Sequence, residues 1–120
     1  MSVASDRGQR GESIALLYLE DCGYRCLARR YRLPGGEIDL VMAGPQVVVF
    51  VEVKVAGPGS RCNPCERVDR RKLALMRRMA HEYVYRQGVP PDSWLRLDVV
   101  GIRIGGSGKG LELVHLMGVG

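Results

Sequence analysis

The stretch Gly36–Lys54, GEIDLVMAGPQVVVFVEVK, decides the fold of this 120-residue chain. Two strongly apolar segments flank a short Ala-Gly-Pro break, and each carries charge where a buried strand should carry none. Asp39 lies within Glu37–Met42, and Glu52 and Lys54 interrupt the run from Val47 to Val55. A buried ion is costly unless it is paired, hydrogen-bonded or bound to a metal. These three charges therefore need a joint explanation.

Read as a hairpin with Gly44-Pro45 at its tip, the two segments pair Ala43 with Gln46 and Asp39 with Phe50. Side chains alternate along a strand, so Asp39 shares a face with Phe50, Glu52 and Lys54. Asp39 and Glu52 become diagonal neighbours, roughly 7 Å apart at the backbone. Carboxylates that close repel each other unless a proton or cation intervenes. Mg²⁺ or Mn²⁺ suits such a pair, because hard divalent ions take one or two carboxylates plus water and phosphate oxygens. Such an ion lowers the pKa of a bound water and stabilises charge on a pentavalent phosphate. Lys54, on the same face, is suited to orient that water or neutralise the phosphate. The plainer alternative is a Glu52–Lys54 salt bridge at a strand end, with Asp39 capping a turn.

Both segments are apolar on both faces, which marks strands in the middle of a layered α/β structure. Upstream, Gly8 to Cys22 reads as a helix with an apolar stripe of Ile14, Ala15, Leu17, Tyr18 and Leu19, stopped by Gly23. Glu12 lies near its start, where the helix dipole favours a carboxylate. Tyr24 to Arg32 alternates as a strand, and Leu33-Pro34-Gly35-Gly36 turns the chain.

Downstream, Ala56–Pro64 reads as a mobile loop. Glu66 to Gln87 is then a second helix, with Val68, Leu75, Met76, Met79, Ala80, Tyr83 and Val84 as its buried stripe and seven basic residues on its remaining surface. Strands follow at Trp94–Ile104 and Leu111–Met117, separated by a turn at Gly105–Gly110. The expected order is α-β-β-β-α-β-β, a central mixed five-stranded sheet flanked by helices. One domain spans 1–120, with 1–7 and 118–120 flexible and 56–65 a mobile loop.

Composition fits this reading: 46% hydrophobic and 26% charged residues suit an ordinary globular domain. No apolar run approaches the roughly 18–20 residues of a membrane span, and the N-terminus lacks a signal-peptide core, so a cytoplasmic protein away from membranes is expected. The +5 net charge favours an anionic partner, nucleic acid first. Cys22, Cys26, Cys62 and Cys65 are expected to be reduced thiols. The Cys62-Asn63-Pro64-Cys65 spacing leaves a four-cysteine zinc site as the lesser reading.

GEIDL at Gly36–Leu40 and FVEVK at Phe50–Lys54 resemble the D…ExK signature of the PD-(D/E)XK nuclease superfamily. The chain as a whole resembles the YraN-like family of small bacterial proteins, related to archaeal Holliday junction resolvases. The likeness rests also on Gly8-x-x-Gly11-Glu12-x-x-Ala15, Tyr18-Leu19, Gly23-Tyr24, Arg29-Arg30-Tyr31-Arg32, Val68 with Lys72, and Arg96-Leu97-Asp98-Val99-Val100. It covers about residues 8 to 117.

The resemblance implies a restriction-endonuclease-like core. Asp39 and Glu52 would be metal ligands together with the Val53 carbonyl, Lys54 the catalytic lysine, and Glu12 a further ligand from the first helix. Val55-Ala56 follow Lys54 where the family commonly has Thr-Arg, a departure that bears on substrate positioning. The expected activity is Mg²⁺- or Mn²⁺-dependent endonuclease cleavage of DNA, branched or structured. Arg30, Arg32, Arg70, Arg71 and Lys72 are the candidate phosphate contacts. A two-fold junction would favour a homodimer. The alternative is a nucleic-acid binder of the same fold without catalysis.

Overall fold

The computed structural model describes residues 3–57, 69–105 and 110–120. Helix α1 (Val3–Asp21) leads into strands β1 (Arg25–Leu33), β2 (Gly36–Gly44) and β3 (Val47–Ala56). Helix α2 (Arg70–Gln87), β4 (Trp94–Ile104) and β5 (Leu111–Leu116) complete the order α-β-β-β-α-β-β. The sheet runs β1-β2-β3-β4-β5 in space. Only β3 and β4 pair in parallel; the other neighbours are antiparallel. This is the expected mixed α/β sheet. No helix of the described residues is long and apolar enough to cross a membrane.

Each helix covers one face, because β2 and β3 are apolar on both. Leu40, Met42, Val49 and Val51 pack with Ala15 and Leu19 of α1, joined by Val100 and Ile102. Ile38, Val41, Val48 and Phe50 pack with Met76, Met79, Ala80 and Tyr83 of α2. Tyr83 meets Tyr31 and Phe50 edge-on, with ring centroids 5.0 and 5.6 Å apart, and so fastens α2 across β1 and β3. Full burial of each such side chain is worth about 1.5–3 kcal/mol.

Local chemistry sets the helix ends. At the end of α1, Gly23 takes φ 99°. Its amide donates to Glu20 O and that of Tyr24 to Leu19 O, at 3.0 and 3.1 Å, the paired closure that a left-handed residue permits. Asp69 caps α2, its carboxylate accepting from the Arg71 amide at 2.8 Å.

Several sequence expectations are corrected. Helix α1 begins at Val3, five residues before Gly8, so part of the segment expected to be flexible is helical. Residues 118–120 are tied down: the Gly118 amide donates to Asp98, the Val119 amide to Leu97 O, and Arg77 to the Gly120 carbonyl. Cys62, Cys65, the start of the second helix at Glu66 with Arg67 and Val68, and most of the 56–65 loop lie outside the described residues.

The β2–β3 register also differs. Gly44 pairs with Val47 and Val41 with Phe50, so Asp39 is not opposite Phe50. The turn is Pro45-Gln46, with Gln46 at φ 56°. Proline's fixed φ suits the first of two turn residues and not the second, which moves the tip one residue along. The offset is two residues, so within the paired stretch Leu40–Gly44 side chains keep their expected faces.

Candidate active site

The ladder between β2 and β3 ends at Leu40↔Val51. One step further, the Val53 amide turns to the Asp39 side chain, donating to Oδ2 at 2.7 Å. The strands thus part at the point where both acids lie, and a carboxylate replaces a backbone acceptor. The other edge of β2 is irregular at the same place. Its pairing with β1 passes from Arg29↔Leu40 to Tyr31↔Ile38, and Arg30, between them, has φ 51°. Ile38 packs in the α2 layer and Leu40 in the α1 layer, so strict alternation breaks at Asp39. A left-handed arginine is a strained backbone, and such strain clusters at functional positions.

The two carboxylates perturb each other. Burial, then the Glu52 charge, raises the Asp39 carboxyl to about 7; Glu12 adds to this, while the Val53 amide and Lys72 oppose it. Burial also raises Glu52, against the nearby charges of Lys72 and Lys54. Lys72 Nζ, from the first turn of α2, stands 3.4 Å from Glu52 Oε2. That oxygen is buried, and among the described residues the ammonium at 3.4 Å is a long and weak partner for it.

Glu12 enters from α1, 7% exposed. Arg30 Nε donates to both its oxygens at 3.1 and 3.2 Å, and Arg29 Nη2 lies 3.7 Å from Oε1. Consecutive strand residues normally point to opposite faces, yet Arg29 and Arg30 both reach α1, because the left-handed turn at Arg30 redirects its side chain. Close packing places Glu12: a Cβ on the neighbouring Gly11 would run into Val55 Cγ2 of β3.

Asp39, Glu52, Val53, Lys54, Glu12 and Lys72 therefore gather at one end of the sheet. Arg30, expected on phosphate, sits on Glu12, and Lys72 sits on Glu52. Arg32 pairs with Glu37 at 2.9 Å in an exposed bridge, apart from the acids. Arg70 and Arg71 are exposed at the start of α2. Asp39 and Glu52 are the two acids of this group whose charges act on each other through the gap between β2 and β3. The described residues contain no group of three or more His, Cys, Asp or Glu side chains that could hold a metal ion.

A second polar cluster was not foreseen. Asp98 is fully buried in β4. It accepts from Arg96 Nε and Nη2 at 2.9 Å each and from the Gly118 amide at 3.0 Å, and its Oδ2 lies 2.7 Å from His115 Nε2. Tyr24 OH accepts from Arg96 at 2.7 Å, and Tyr18 OH lies 2.9 Å from His115 Nδ1. A charge inside the apolar run of β4 was the available signal, the same one that marked Asp39 and Glu52.

The model of the uncharacterised protein family UPF0102 matches residues 11–102, which include Glu12, Asp39, Glu52, Lys54 and Lys72. A UPF0102 protein of Moorella thermoacetica is 44% identical over 96 residues, 80% of this chain and 79% of its own. One of Leifsonia xyli is 34% identical over 119 residues, 99% of both chains. One of Mycolicibacterium gilvum is 42% identical over 115 residues, 94% of this chain and 92% of its own. The chain belongs to the uncharacterised protein family UPF0102.

Proposed function

We propose that the protein is a divalent-metal-dependent endonuclease that hydrolyses phosphodiester bonds in DNA, with branched or structured DNA such as Holliday junctions as substrate. One observation carries the reading. Asp39 and Glu52 stand close enough for the Glu52 charge to add to the burial that raises Asp39 to about 7, and one Glu52 oxygen is buried with the Lys72 ammonium, at 3.4 Å, as a long partner. Two mutually repelling carboxylates with an oxygen so weakly partnered fit a hard divalent ion, which needs only one or two protein carboxylates. Mg²⁺ or Mn²⁺ bound there would supply Lewis acidity toward a phosphate oxygen and an acidified water.

The chain's own groups divide the remaining work. Asp39 and Glu52 would hold the ion, and the Val53 amide fixes the Asp39 carboxylate for that task. Val53 would add its carbonyl, as the resemblance to PD-(D/E)XK nucleases implies. Lys54, whose charge is felt at Glu52, would neutralise a phosphate oxygen or orient the attacking water. Arg70 and Arg71 extend a basic surface from the site for the DNA backbone.

The test is cleavage of labelled four-way junction, flap and duplex with Mn²⁺ or Mg²⁺. Wild type should cut, and Asp39→Ala and Glu52→Ala should each lower the rate by roughly a hundredfold or more. Cleavage that survives both substitutions would remove the proposal.

A second reading, a DNA-binding protein of this fold without catalysis, has one observation in its favour. Glu12 is taken up by Arg30 and Arg29 and does not stand with the other two acids as a third ligand. A binder would retain the junction equally well in EDTA and in Mg²⁺ and would cut nothing.

A further inference from the structure

Two acids of the candidate site are each held by a cation of the chain itself. Glu52 has Lys72 at 3.4 Å. Glu12 has Arg30 on both oxygens, with Arg29 nearby. The two sides differ in their access to solvent. The side chains of Lys72, Arg30 and Arg29 are 36%, 39% and 44% exposed, whereas those of Glu52 and Glu12 are 16% and 9% exposed. An anion arriving from outside therefore meets the cations first. A carboxylate oxygen engaged by an ammonium or guanidinium is also less available to a divalent ion, since the two cations repel each other.

We infer that Lys72 and Arg30 are positioning residues that couple metal loading to DNA binding: backbone phosphate draws them off Glu52 and Glu12 and frees both carboxylates for the ion. The inference rests on the nuclease reading above and adds an order of events to it. DNA binds to a site whose acids are closed by internal ion pairs. Phosphate takes over Lys72 and Arg30, and the acids, now poor in counter-charge, gain affinity for the divalent ion. Linkage makes the effect reciprocal, so metal must tighten DNA binding by the same factor. A site built this way stays poorly loaded away from its substrate.

The experiment is calorimetric titration of Mn²⁺ at pH 8 into the protein alone and into the protein saturated with a phosphorothioate four-way junction that resists cleavage. The Asp39→Ala complex measures the metal held by the DNA itself. Wild type should bind Mn²⁺ about tenfold more tightly in the complex. Lys72→Gln and Arg30→Gln should each bind Mn²⁺ about tenfold more tightly than wild type without DNA, and DNA should then add less than about threefold. Lys72→Arg should restore the wild-type pattern. Arg86→Gln removes the same charge from the exposed last turn of α2, away from the acids, and should leave the pattern unchanged.

Equal Mn²⁺ affinity of wild type with and without DNA overturns the coupling and leaves the nuclease reading standing. An Arg86→Gln effect as large as that of Lys72→Gln overturns the specific role of Lys72. No Mn²⁺ binding under any condition removes both the coupling and the nuclease reading.

Discussion

Asp98 shows what a buried charge looks like when the fold satisfies it. Burial acts to raise its carboxyl, but hydrogen bonds from Arg96, the Gly118 amide and His115 outweigh that and hold it below the usual carboxylate range. A carboxylate with a lowered folded value contributes stability that is fully present above its unfolded pKa, about 3.9, and is lost as pH falls through the folded value. Melting temperature measured from pH 7 down to pH 2 should therefore fall less steeply for Asp98→Asn than for wild type. At pH 7 the variant should be less stable by about 3 kcal/mol, because Arg96 is left without its partner. Identical pH profiles would show that Asp98 does not set the acid limit. Glu52 stands in contrast, since among the described residues its buried oxygen finds one ammonium at a long 3.4 Å. The sequence made Asp39, Glu52 and Lys54 visible because charge interrupted an apolar run. Two of the Asp98 partners stayed hidden because His115 and Gly118 stand 17 and 20 positions further along the chain, beyond the reach of any local pattern. Lys72 carried no signal of its own, being one basic residue on a basic helix.

Among the elements, α1 is the one whose exact seat matters most to the acids. Gly11 lets it lie close against Val55 of β3, which brings Glu12 over the sheet. Gly11→Ala should destabilise the protein by about 1–3 kcal/mol, since the clash outweighs a helix-propensity gain of at most about 1 kcal/mol. Val55→Ala in the same chain should recover part of that loss, a coupling that urea denaturation of the single and double variants would reveal. Strictly additive losses would mean that the contact is not the cause. The element order was legible in full, because apolar periods of two and of about four survive in this sequence without ambiguity. Offsets were less so. Alternation fixes which face a strand residue takes but not how far the partner strand is slid, so the β2–β3 pairing came out two residues displaced while its faces were right. The early start of α1 was missed because Val3–Gly8, VASDRG, is mostly polar and gives no apolar stripe to read.

Across the whole molecule, the connections fall into two kinds. Strands β1, β2 and β3 follow one another through short turns, whereas β4 reaches β3 only after the crossover that contains α2. The antiparallel meander has local contacts and the parallel pair does not, and local contacts form first. Asp39 and Glu52 both belong to the meander, and Lys72 belongs to the crossover. The folding chain is therefore expected to bring the two carboxylates together before their counter-charge arrives, so that their repulsion weighs on the rate-limiting step. Glu52→Gln should then speed refolding a few-fold by relieving the repulsion, and should also speed unfolding, because the native Lys72 pair is gone. Stopped-flow chevrons in urea would show both arms raised, and an unchanged refolding arm would mean that the acids meet only after the crossover closes. The parting of β2 and β3 thus has a consequence in time as well as in space: the acid pair is something the chain must fold through.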